Sequence, residues 1–208
     1  MSKLNAKKLP IRYLKAKFQI ASAEETRKLA EAFAPVAEKL FSQASIFNKS
    51  RIGLKGYIPF EVLEESMEFF SAGKTVFLKA LLAKVLGHDP EYKGSSYTHM
   101  KEFTPNLYGL EKHKGKRVCF YDVMRMRHRV KEEKNLLIRL NAMLSSSNIV
   151  EWPEADINKR FSCVFEFSLL SEKCVTDERE IDLYTTDEIA AMPEFEQFLE
   201  DAAEFRID

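Results

Sequence analysis

From Phe161 to Leu169 the chain alternates Phe161, Cys163, Phe165, Phe167 and Leu169 with Ser162, Glu166 and Ser168. That period of two is a strand with one aromatic face. Such a face has to be covered, so whatever fold the chain adopts must lay a second layer over this strand. Val164 and Leu170 interrupt the polar parity, which implies that the other face is also partly covered. Sixteen Phe against one Trp point to a core built of phenylalanine.

Elements that could form the covering layer lie before it. Leu14, Ala16, Phe18 and Ile20 alternate with Lys15, Lys17 and Gln19, predicting a strand near 11–21 with a basic outer face. Ser22 followed by Glu25 reads as a capping box, so a helix is expected from Ala23 to Ala44. Its stripe is Leu29, Phe33, Val36, Leu40 and Phe41, with a kink or a break at Pro35. A connector containing Gly53 and Gly56 leads to a helix from Pro59 to about Phe70, then a turn at Ser71, Ala72 and Gly73. A second helix, Lys74 to Leu86, carries Val76, Phe77, Leu78, Leu81, Leu82, Val85 and Leu86 and stops at Gly87 and Pro90. With so little polar surface it is expected to be a central core helix.

Residues 88–117 show no sustained periodicity. Val118, Phe120, Met124 and Met126 predict a strand over 117–126, followed by a helix from Lys131 to Leu144 and a serine-rich, proline-bearing connector over 145–159. Further strands are expected at 160–170 and 180–185, and Pro193 begins a helix with Phe195, Phe198, Leu199 and Ala202 on one side and acidic residues around the rest. The fold class expected is α+β: an antiparallel sheet packed against several helices, with a C-terminal acidic amphipathic helix.

Net charge is zero, yet it is unevenly placed. Residues 151–208 hold seventeen acidic and five basic side chains, a balance of −12, which leaves +12 on residues 1–150. The organisation expected is a basic α/β region over 1–150 and an acidic strand–strand–helix region over 151–208, packed together as one domain. Either the basic part binds a polyanion while the acidic part limits non-specific adhesion, or the two fold against each other. No apolar run reaches the length of a membrane span and the N-terminal stretch lacks the apolar core of a signal peptide, so cytoplasmic residence without a membrane is expected. Cys119, Cys163 and Cys174 have neither disulfide nor zinc spacing and read as small core residues; no metal or cofactor is signalled.

The densest constellation runs from Lys112 to Lys134. Lys114, Lys116, Arg117, Arg125, Arg127 and Arg129 are interleaved with Phe120, Tyr121 and His128. Guanidinium forks match phosphate and aromatic rings stack on bases, so this pattern suits nucleic acid, with single strands or RNA favoured. The leading expectation is a non-enzymatic nucleic-acid-binding protein moderated by its acidic region. The alternative is an assembly component whose C-terminal helix docks on a protein partner or a second copy through Phe195, Phe198 and Leu199. A third reading is metal-dependent phosphoester chemistry, for which Asp122 and Glu166, if their strands are neighbours, and His99 are the residues to test.

Weaker patterns have simpler explanations. Asp89, Glu91 and Lys93 echo a nuclease metal site but follow a helix stop, as a solvated loop would. Gly73, Lys74 and Thr75 share the last positions of a phosphate-binding loop, but the residue five before Gly73 is Glu68 and a helix is predicted ahead of it. The turn of a helical hairpin accounts for the same three residues.

Overall fold

A computed structural model describes residues 12–44, 50–57, 73–87, 118–122, 147–151, 161–169 and 178–207. Among the described residues six strands form one sheet: β1 (Tyr13–Ile20), β2 (Ser50–Tyr57), β3 (Val118–Asp122), β4 (Ser147–Glu151), β5 (Cys163–Leu169) and β6 (Arg179–Thr185), in the order β1-β6-β5-β2-β4-β3. The fold is α+β. The sheet, however, is mixed where an antiparallel one was expected: β1/β6 and β6/β5 are antiparallel, whereas β5/β2, β2/β4 and β4/β3 are parallel.

The difference has a physical origin. Strands covered on both faces need no polar parity and show no alternation. In β2 Ile52, Gly53, Leu54 and Gly56 are all buried, so the sequence pattern reads as a glycine-bearing connector. β4 falls in the serine-rich stretch taken as a connector, and the division at residue 150 cuts through it. Acidic and basic regions thus share one sheet, with β6 between β1 and β5.

Three helices pack on one another over the sheet: α1 (Ala23–Gln43), α2 (Lys74–Leu86) and α4 (Pro193–Asp201), with α1 touching both of the others. A short helix α3 (Asp187–Ala190) precedes α4. Continuous phenylalanine contacts join the layers. Phe33 of α1 stacks edge-on against Phe165 at 4.8 Å and Phe198 at 5.3 Å, and Phe77 of α2 meets Phe165 at 4.6 Å and Phe167 at 5.8 Å. Each buried ring contributes about 1.5–3 kcal/mol from burial, plus about 0.5–1.5 kcal/mol per favourable pair. The aromatic face of β5 is therefore what holds α1 and α2 in place.

Two local expectations change. α1 has no break at Pro35, which lies on its exposed side; the helix runs from Ala23 to Gln43 without interruption. Leu14, expected inside, is 43% exposed, because the register shifts between Leu14 and Ala16 and this bulge turns the start of β1 over. Beyond α4, a 3-10 turn (Ala203–Phe205) leads Arg206 into a bridge with Phe18, and the Ile207 N–H donates to the Lys17 carbonyl at 3.0 Å along the outer edge of β1. Among the described residues no helix is long and apolar enough to cross a membrane.

Candidate functional site

The start of α2 departs from ordinary helix chemistry. Gly73 caps it in the left-handed region, at φ 82°, without a side-chain capping bond, and the first turn holds no acidic residue. Phe77, one turn in, donates its N–H to the Gly73 carbonyl at 2.9 Å and anchors the helix in the aromatic core. Lys74 is only 3% exposed. A lysine is rarely this buried without a specific partner or task.

Arg179, 8% exposed, reaches the same place: a Cβ built on Gly73 would lie 3.3 Å from its Nε and 3.7 Å from Cγ2 of Thr26. Glycine is needed here both for the positive φ and for the close guanidinium. Arg179 is the register partner of Leu169, the last residue of β5, and β5 runs parallel to β2. The start of α2 therefore lies at the carboxy-terminal edge of the parallel strands. Asp122 and Glu151, the last residues of β3 and β4, are register partners of each other, and Glu151 pairs in turn with Leu54 of β2.

In an open sheet with parallel strands, ligands bind outside the carboxy ends of those strands. The amino terminus of a helix adds free N–H groups and a partial positive charge. A buried lysine and a buried arginine thus lie at the amino terminus of α2. The sequence reading gave Lys74 to the start of a core helix and placed Arg179 just ahead of the strand expected at 180–185, and it singled out neither as a buried charge. The one available signal was the parity of Arg179 with Ile181, Leu183 and Thr185, all buried, which sets an arginine at an inward strand position.

The expected site residues fare differently. Lys114, Lys116, Arg117, Arg125, Arg127 and Arg129 lie outside the described residues, as do His99 and the Asp89–Lys93 stretch, while Tyr121 lies on β3. The helix expected over 59–70 also lies outside them. Asp122 and Glu166 are not on neighbouring strands: β4 and β2 separate β3 from β5, about 14 Å at the usual strand spacing. Glu166 instead accepts from Nζ of its register partner Lys55 at 2.7 Å. The grouping of those two carboxylates therefore falls.

Phe195 and Phe198 are buried in the chain's own core, Phe198 against Phe18 at 5.6 Å and Phe33, and Leu199 packs partly buried beside that core. Lys15 pairs with Asp187, Lys17 with Glu180 and Asp182, Lys39 with Glu194, and Lys55 with Glu166, each joining residues 1–150 to residues 151–208. Such half-exposed pairs contribute about 0–1 kcal/mol each. Their consequence is that acidic and basic regions engage each other within the chain.

Cys163 is fully buried, with its Sγ 3.3 Å from Thr185 Oγ1, and burial pushes its thiol up to about 12. It is an inert core residue at neutral pH. No group of His, Cys, Asp and Glu able to hold a metal ion occurs among the described residues.

No family model matches the chain, and no curated protein matches it. Among solved structures, the crystal structure of Bacillus subtilis YdiB is similar at a TM-score of 0.45 and 18% identity, over 94% of this chain and 96% of that one. A likeness so distant carries no functional inference.

Proposed function

We propose that this chain binds the phosphate groups of a nucleoside phosphate at the amino terminus of α2. The observation that carries this reading is that Gly73, Lys74 and Thr75 open a helix at the carboxy-terminal edge of the parallel strands, with β2, the preceding described strand, lying between two parallel neighbours. In a phosphate-binding loop the glycine lets backbone N–H groups approach the phosphate, the lysine reaches it, and the hydroxyl holds a divalent cation. Asp122 and Glu151 are the last residues of β3 and β4, whose carboxy ends run in the same direction as that of β2. The chain departs from the loop's usual pattern at Glu68 and in the length of the 58–72 connection, so the reading rests on residues 73–75 and concerns binding, not hydrolysis.

Isothermal titration with ATP and GTP, with and without magnesium, tests it. Saturable binding to the wild-type chain that is lost in Lys74→Met is the expected result. A folded wild-type chain that binds neither nucleotide overturns it.

A second reading shares the chemistry. Arg125, Arg127 and Arg129 follow Asp122, where β3 ends at this same edge, and with Lys114, Lys116, Arg117 and Tyr121 they suit the phosphates and bases of a nucleic acid. Its affinity would fall steeply with salt as counterions are released. Fluorescence anisotropy with single-stranded RNA at two salt concentrations checks this, and no binding at low salt removes it. The ion pairs made within the chain leave a moderating role for the acidic region without support.

A further inference from the structure

We infer that the segment after α4, residues 203–207, is a strap that closes the outer edge of β1, and that its release opens this edge to β1 of a second copy of the chain.

Among the described residues β1 is an end strand of the sheet, paired with β6 alone. An end strand leaves a row of backbone groups outside the ladder, and another chain can take them. Part of that row is already taken, since Arg206 bridges Phe18 and the Ile207 N–H donates to the Lys17 carbonyl at 3.0 Å. The strap is held unevenly. Phe205 is buried and belongs to the core, whereas Ile207 is 45% exposed, so the tip can lift while its anchor stays packed.

The exposed large apolar side chains among the described residues are Tyr13, Leu14 and Ile207, and all three lie on β1 or on the strap. Single exposed apolar residues are ordinary, but their gathering along one strand edge marks a surface for a partner. Strap and β1 run antiparallel with Ile207 beside Lys17, so the described part of the strap stops short of Tyr13 and Leu14. Lysines on an end strand ordinarily repel a second copy of it. Here Lys15 pairs with Asp187 and Lys17 with Glu180 and Asp182, so in the folded chain that repulsion is reduced from within. An antiparallel β1–β1 pair about a twofold axis near Leu14 is self-complementary, joins two sheets into one and brings both copies' Tyr13 and Leu14 together.

Sedimentation equilibrium over a range of concentrations tests this with wild type, Ile207→Pro, Phe205→Ala and the double variant Ile207→Pro/Leu14→Lys, with thermal unfolding as the fold check. Proline removes the N–H that reaches Lys17 and leaves Phe205 in place. Ile207→Pro is expected to tighten self-association by about 10-fold over wild type, and Phe205→Ala, which frees the anchor, by more. Adding Leu14→Lys to Ile207→Pro is expected to return the mass to that of one chain. If Ile207→Pro and Phe205→Ala both keep the wild-type mass at every concentration, the inference is overturned. Association that Leu14→Lys leaves untouched overturns it too, because the contact would then lie away from β1. If Phe205→Ala fails to fold, Ile207→Pro and its double variant decide alone.

Discussion

Two helices begin side by side in this molecule and begin in opposite ways. α1 closes its own start: Ser22 Oγ accepts from the Glu25 N–H at 3.1 Å, the Glu25 carboxylate accepts from the Ala21 N–H at 2.6 Å, and Glu24 and Glu25 set negative charge on the first turn. α2, whose capping glycine lies against Thr26 of α1, has no side-chain cap and no acidic residue, and gathers a buried lysine and a buried arginine instead. A capped start satisfies its N–H groups within the chain, whereas an electropositive start is prepared for an anion from outside. The first is a device of stability and the second is where the phosphate site is proposed.

The largest effect sets the pH window in which the two starts can be compared. Cys163 holds its proton in the folded chain up to about pH 12, whereas an unfolded thiol ionises from about pH 9. Its contribution is therefore complete below that lower value and is lost as pH rises through the upper one, about 4 kcal/mol in all at about 1.4 kcal/mol per unit. Urea unfolding of wild type and Cys163→Val across that range should show a steeper alkaline decline in wild type. Parallel declines would mean that the thiol is not what titrates.

Below that range, Lys74→Met should abolish saturable nucleotide binding in calorimetry. Gly73→Ala should affect both binding and stability: the left-handed backbone costs about 1–2 kcal/mol for an L-residue, and the added methyl crowds Arg179 at 3.3 Å. Ser22→Ala should cost about 1 kcal/mol in chemical denaturation and leave nucleotide affinity as it was. If Ser22→Ala weakened the ligand as much as Gly73→Ala did, the two helix starts would not be separable in function and the contrast between them would collapse.

How much of this could be read beforehand follows the same physics. The capped helix was legible because its cap is written in side chains, as were β5, whose partners leave it a clear parity, and the left-handed stop at Gly87. β2 and β4 were not, since parallel strands inside a sheet lose alternation and short ones offer few residues to count. Without β2, Gly73 to Thr75 have no strand ahead of them and look like a hairpin turn. Arg179 was hidden for a related reason, because whether a strand's first residue points inward is known only once its partners are. Phe195 and Phe198 look alike as a docking face or as core until a neighbour such as Phe18 or Phe33 is found for them.

The strand order also governs when the chain can fold. β1 enters the sheet through β6, so the earliest of the described strands waits for the latest of them, and Lys15 meets Asp187 across 172 residues of chain. At about 5–20 residues per second of synthesis, that wait is on the order of ten seconds or longer, during which β1 and the aromatic stripe of α1 have no final partner. Contacts this distant in sequence slow closure of the sheet. Lys15 and Lys17, spaced along β1, then serve as guards that discourage other strands from pairing with it before β6 arrives.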